Sequence, residues 1–125
     1  MEQIKPRIAV EYTPNATIIT FTDEKILEER NISALQDSIT SVIESASGGV
    51  NLILDFRKVR FLSSAVLGLL IRVSKRVYQR NGQLRLCNIN PKIYEIFKIT
   101  RLTKIFDIYP DVKSAGKGLP EPERP

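Results

Sequence analysis

Apolar and polar positions alternate with two different periods along this chain, and the places where the period changes predict its elements. Residues 8–13 (Ile-Ala-Val-Glu-Tyr-Thr) and 16–22 (Ala-Thr-Ile-Ile-Thr-Phe-Thr) are β-branched and aromatic, with Pro14-Asn15 between them, which predicts two strands joined by a tight turn. The charged stretch from Asp23 to Asn31 reads as a connection containing a short helical turn. From Ile32 the apolar residues Ile32, Leu35, Ile39, Val42, Ile43 and Ala46 recur at helical spacing, and Gly48-Gly49 ends that helix. Residues 50–56 (Val-Asn-Leu-Ile-Leu-Asp-Phe) form a nearly continuous apolar run, as expected of a strand covered on both faces.

A basic connection over residues 57–62 leads to Ser63-Ser64 and a second helix ending near Arg80. At 100° per residue Val66, Leu70, Val73 and Val77 share one face, and Arg72, Lys75, Arg76 and Gln79 the opposite one, so the apolar face packs on a sheet and the basic face meets solvent or a partner. Asn81-Gly82 breaks the helix. Residues 83–89 predict a strand with Leu84, Leu86 and Cys87 in the core. Asn90-Pro91 is a helix start, a capping residue followed by proline at the first helical position, and Ile93, Ile96 and Phe97 form the buried face of that helix. Residues 105–109 read as a last, edge strand.

The resulting order, β-β-α-β-α-β-α-β, predicts an α/β layer structure with an antiparallel first pair and right-handed crossovers between the later, parallel strands. Residues 110–125 hold four of the seven prolines and two of the six glycines. The chain therefore divides into one domain over residues 1–110 and a flexible tail over 111–125. Functional loops of open α/β sheets gather beyond the carboxyl ends of the strands, where the segment after Phe56 lies.

Composition narrows the chemistry. The 125 residues contain no histidine and a single cysteine, Cys87. That removes histidine–metal sites, Ser/His/Asp and Cys/His nucleophile systems and histidine phosphorelays, and it fits a reducing cytoplasm. No apolar run approaches the roughly 20 residues of a membrane span, and no secretory leader opens the chain. Neither a metal nor a cofactor is expected. The net charge of +5 is unevenly spread: residues 51–104 carry twelve Lys or Arg against Asp55 and Glu95, whereas residues 1–50 carry eight acids against four bases. This bipolarity is either a solvated surface or a basic face for an acidic protein, a phosphate or a nucleic acid.

Ser63 and Ser64 sit where a loop becomes a helix. A serine hydroxyl there can cap the helix by accepting a backbone N–H, typically worth ~1 kcal/mol. It can also accept a phosphate, because free N–H groups and the helix dipole favour negative charge at that end. Arg57, Lys58 and Arg60 lie just upstream, suited to holding a phosphate or attracting an acidic kinase.

The stretch Leu54-Asp55-Phe56-Arg57-Lys58-Val59-Arg60-Phe61-Leu62-Ser63-Ser64-Ala65-Val66-Leu67-Gly68-Leu69-Leu70 resembles the signature of the STAS domain of bacterial anti-sigma factor antagonists. Residues 81–87 (Asn-Gly-Gln-Leu-Arg-Leu-Cys) resemble the family's next strand, and Asn90-Pro91 with residues 97–106 resemble its last helix and strand. The resemblance covers about residues 8–110. It implies a STAS-like mixed sheet with helices mainly on one face, and a small cytoplasmic switch that binds an anti-sigma factor of the serine-kinase type and so releases a sigma factor. In such proteins phosphorylation at the helix start breaks the complex and a phosphatase restores it. Carried onto this sequence, the contact residues are Asp23, Arg57, Lys58, Arg60, Ser63, Ser64, Ala65, Val66, Gly68 and Arg72.

Two departures accompany the resemblance. The family usually reads Asp-Ser-Ser/Thr-Gly-Leu-Gly where this chain has Ser63-Ser64-Ala65-Val66-Leu67-Gly68, so Ala65 stands at the phosphoacceptor position and the remaining hydroxyls are those of Ser64 and Ser63. The family's Gly-x-Leu-Asp after the second strand is replaced by Asp23-Glu24-Lys25-Ile26. A constitutive antagonist and a non-phosphorylated scaffold or adaptor of a larger regulatory complex are the alternatives. A nucleic-acid binder lacks a glycine-rich phosphate loop and interleaved aromatics. An enzyme lacks paired carboxylates: Asp55 reads as a strand terminator bonded to the following loop, and Cys87 as a buried thiol.

Overall fold

The computed structural model describes residues 7–46 and 48–119. Strands β1 (Ile8–Tyr12), β2 (Thr17–Phe21), β4 (Leu52–Asp55), β6 (Leu84–Cys87) and β7 (Asp107–Tyr109) form one five-stranded sheet in the order β1-β2-β4-β6-β7. The β1–β2 pair is antiparallel and every other pair is parallel. This is the mixed sheet that the strand and helix order predicts. Two-residue strands β3 (Lys25–Ile26) and β5 (Phe61–Leu62) form a separate parallel pair.

Side chains alternate across the central strands and serve two cores. Ile19, Leu52, Leu54, Leu84 and Leu86 point to the main core. There they meet Ile32, Leu35, Ile39 and Ile43 of α1 (Glu29–Ser45), Val66, Leu69, Leu70, Val73 and Val77 of α2 (Ser64–Gln79), and Ile93 and Phe97 of α3 (Pro91–Ile99). Asn90 caps α3 as expected, its Oδ1 accepting the Ile93 N–H at 2.9 Å, with Pro91 at the first helical position. Ile18, Ile53 and Cys87 point to the opposite face, where Ala16, Ala115 and Leu119 complete a smaller core.

That second core is where the structure departs from the division into a domain and a tail. Residues 112–115 form a fourth helix, α4 (Val112–Ala115), whose start is closed by a capping box between Asp111 and Ser114. Arg85, buried in β6, donates from Nη1 to the carbonyls of Ala115 and Lys117, and its guanidinium carbon lies 5.1 Å from the centre of the Tyr109 ring. The physical reason is that a parallel sheet needs cover on both faces, and α1, α2 and α3 occupy only one. Residues 120–125 of the expected tail lie outside the described residues.

Three smaller differences have local causes. The 23–31 segment holds a two-residue strand ahead of its helical residues 29–31, because Lys25 and Ile26 find partners in Phe61 and Leu62. The first long helix begins at Glu29, before the apolar stripe starts at Ile32, with the acid Glu29 well placed in its first turn. Ile96 is 36% exposed, while Ile93 and Phe97, one turn apart on the same face, are buried.

Candidate functional site

The loop after β4 is built from the sheet upward. Asp55, the last residue of β4, is fully buried, yet its carboxylate makes three contacts with two residues, Arg57 and Asn88. Its Oδ1 accepts the Arg57 backbone N–H at 3.0 Å and the Asn88 side-chain amide at 2.9 Å, and Oδ2 lies 2.9 Å from Arg57 Nε in an ion pair. Asn88 adopts a left-handed backbone conformation at φ 56°, which asparagine tolerates better than most residues. Asn90 supports the same loop from α3, donating from Nδ2 to the Val59 carbonyl at 3.1 Å while its Oδ1 caps the helix.

The loop's outer side is stitched to the segment after β2. Backbone N–H groups of Arg60 and Phe61 both donate to the Glu24 carbonyl, at 2.8 and 3.1 Å, and the Ser63 N–H donates to the Ile26 carbonyl at 3.0 Å. Arg60 also pairs with the Glu24 carboxylate at 3.4 Å. Asp23, beside Glu24, is joined to Arg7 by an ion pair. The structure thus brings together the Asp23 segment, residues 57–62 and the start of α2, three stretches the sequence reading placed in one site.

At the start of α2, Ser63 occupies the N-cap position with extended backbone (φ −87°, ψ 164°), but its hydroxyl makes no capping bond and is buried without a hydrogen-bond partner. Capping by Ser63 therefore does not explain this serine. Ser64 and Ala65 are exposed, and no acid stands in the first turn. The Arg57, Lys58 and Arg60 side chains are exposed on the preceding loop.

Two expected contact residues lie elsewhere. Val66 is buried in the main core, as its place in the Val66, Leu70, Val73 and Val77 stripe requires, and offers no side-chain surface to a partner. Arg72 turns toward α1, donating from Nε to Gln36 Oε1 at 2.9 Å. A Cβ on Gly68 would sit 3.3 Å from the Arg72 guanidinium. Arg76 and Arg80 likewise pair with Glu44 of α1, so part of the basic face is neutralised by the acidic half of the chain. Asn88 and Asn90 brace the site without having been singled out for it, and the signal available in sequence was only their spacing around the end of β6.

Cys87 lies across the β4–β6 pairing from Asp55. Burial, and then the nearby Asp55 carboxylate, push its thiol up to about 12. A group raised in this way leaves stability intact below its unfolded value near 9 and costs stability as pH rises from there toward 12, because the unfolded thiol ionises first. The thiol should resist iodoacetamide at pH 8 in the folded protein and be labelled fully in denaturant; rapid labelling of the folded protein would show that it is accessible. Among the described residues no group of three or more His, Cys, Asp or Glu could hold a metal ion, and no helix is long and apolar enough to cross a membrane.

Known proteins share this architecture. The chain is 26% identical over 83 residues, 66% of its length and 70% of the relative's, to BtrV of Bordetella bronchiseptica, a protein that carries the name of an anti-sigma factor antagonist. Its fold matches a STAS-domain anti-sigma-factor antagonist of Planctomyces limnophilus with a TM-score of 0.78 at 22% identity, over 86% of this chain and 93% of that one. It matches an anti-sigma factor antagonist of Mycobacterium paratuberculosis with a TM-score of 0.77 at 22% identity, over 90% and 92% of the two chains. The family model of the STAS domain matches residues 7–115, a span that includes α4. With that match over most of its length, the chain belongs to the STAS domain family.

Proposed function

We propose that this protein is an anti-sigma factor antagonist, a cytoplasmic, non-enzymatic module that binds an anti-sigma factor of the serine-kinase type through residues 57–62 and the first turn of α2. The observation that carries this reading is the exposed Ser64-Ala65 pair at a helix start with no side-chain cap, beside a loop that presents three basic side chains and is braced by Asp55, Asn88 and Asn90. A braced loop loses little conformational freedom on binding, and its positive charge steers an acidic partner.

Regulation by phosphate is proposed at Ser64, with Ser63 second. The Ser64 side chain is exposed, whereas the Ser63 hydroxyl is buried and needs the helix start to open before a kinase reaches it. A phosphate on Ser64 would put about −2 charge at the positive end of α2. Incubation with an anti-sigma factor of the serine-kinase type that binds the chain, followed by mass spectrometry, is expected to place phosphate on Ser64. Ser64→Asp is expected to weaken the complex by about tenfold or more through a new charge in the contact. Unchanged affinity would contradict a phosphate switch at that position. Ala65 supports a second reading, a non-phosphorylated scaffold, since alanine offers no hydroxyl at the family's usual acceptor position. Partner binding with no phosphate on either serine would select it.

A further inference from the structure

An apolar trough lies beside this site. It encloses about 420 Å³ between the β3–β5 pair and α3, with Leu27, Phe61 and Leu62 on one wall and Ile93 and Ile96 on the other. Leu27 is 50% and Phe61 47% exposed, unusual for large apolar side chains that converge on a single hollow. Lys25, Arg60 and Lys92 stand on the rim, and the Lys25 ammonium lies 5.7 Å from the centre of the Phe61 ring. On α3 the row continues from Lys92 through Ile96 to Ile99, which is highly exposed.

We propose that this trough is a docking groove for an acidic amphipathic helix of a partner protein. The proposal rests on the reading of the chain as an interaction module and adds an adjoining contact, which shares Arg60, Phe61 and Leu62 with the 57–62 loop and extends from it to Leu27, Lys92, Ile93 and Ile96. The apolar base matches side chains repeating at i, i+3 or i+4, and i+7 on one face of a helix, the usual mode of helix-in-groove recognition. Lys25 and Lys92, together with Arg60, which is shared with Glu24 at 3.4 Å, match carboxylates flanking that face. A nucleic acid would meet the rim but gain nothing from Leu27, Phe61 and Ile96. A membrane surface calls for protruding rather than recessed apolar side chains.

The test uses the full chain and a synthetic helix of about four turns with leucines at those spacings and glutamates alongside, followed by amide chemical shifts. Saturable shifts centred on Leu27, Phe61 and Ile96 are expected. Affinity should fall about tenfold or more in Ile96→Glu, and similarly when lysines replace the peptide's glutamates. Equal affinity for the lysine peptide, shifts centred elsewhere, or concentration-dependent shifts of these amides in the protein alone would overturn the proposal, the last assigning the trough to a second copy. Stronger shifts with anionic lipid vesicles than with the peptide would also overturn it. Ser64→Asp separates the two readings: the peptide should bind this variant as it binds the parent, whereas the anti-sigma partner should bind it about tenfold or more weakly. A partner that still binds Ile96→Glu at full strength, while the acidic peptide fails to bind the parent chain, removes the groove and leaves the helix-start contact standing.

Discussion

Gly82→Ala is expected to cost about 3 kcal/mol or more, the upper end of what overpacking usually costs. A Cβ built on Gly82 would lie 1.8 Å from the Val50 carbonyl oxygen and 2.8 Å from its carbonyl carbon. Both are backbone atoms, so no side-chain rotation relieves the clash, and the chain entering β4 must separate from the chain entering β6. Gly82 is needed for this close approach; the left-handed conformation at the turn belongs to Asn81, at φ 60°. Gly116→Ala is the matched control, since its Cβ would meet nothing nearer than 3.6 Å, and a change within about 0.5 kcal/mol is expected. Urea midpoints of the two variants provide the comparison. An unchanged midpoint for Gly82→Ala would mean that the two segments are not in contact in solution.

Phe56→Ala should cost about 3–5 kcal/mol, as expected when a fully buried aromatic is removed. The Phe56 ring packs on Phe21 with centroids 4.8 Å apart and planes tilted by 48°, a favoured aromatic arrangement that alanine abolishes. The position also matters to the site: the ring anchors the end of β4, where the Phe56 backbone carbonyl, which alanine retains, accepts the Val59 N–H at 2.9 Å at the start of the basic loop. Losing the ring therefore loosens the loop's seat rather than this bond. Ile39→Ala in α1 is an equally buried change remote from that loop, costing about 2–5 kcal/mol. Measured where each variant remains folded, partner affinity should fall for Phe56→Ala and hold for Ile39→Ala. Equal losses in both would assign the effect to general destabilisation.

The parts of the fold legible in sequence are those long enough to establish a period. Ile32, Leu35, Ile39 and Ile43 mark α1, and Val66, Leu70, Val73 and Val77 mark α2, because several turns of helix repeat the same signal. The central strands show as apolar runs because both faces are covered. Strands β3 and β5 span two residues each, too few for alternation, and they exist because Lys25-Ile26 and Phe61-Leu62 pair across the fold. Helix α4 escaped notice for the same reason: four residues hold barely one turn, and the prolines around it read as a tail. Its signals were present in the Asp111–Ser114 cap and in the Val112, Ala115 and Leu119 spacing, but only the uncovered face of the sheet gives those residues a reason to fold.

The candidate site was legible in part. Ser63, Ser64 and the basic residues before them stood out because a loop-to-helix junction with hydroxyls and cations has recognisable chemistry. The bracing by Asn88 and Asn90 did not, since it joins residues about 30 positions apart and depends on β4 and β6 being neighbours. Arg72 carried a contact role in sequence because its helix face is basic; in three dimensions that face leans on Gln36 and Glu44 of α1. A charge pattern read along one element cannot show which other element neutralises it.

The central claim is that residues 57–62 and the first turn of α2 form the face that meets the anti-sigma partner. Amide hydrogen exchange of the full chain, with and without that partner, tests it most directly. Slowed exchange concentrated in residues 57–68, with β1 and α4 unchanged, is the predicted result. Protection confined to β1 or to α4, with residues 57–68 exchanging as in the free protein, would contradict it.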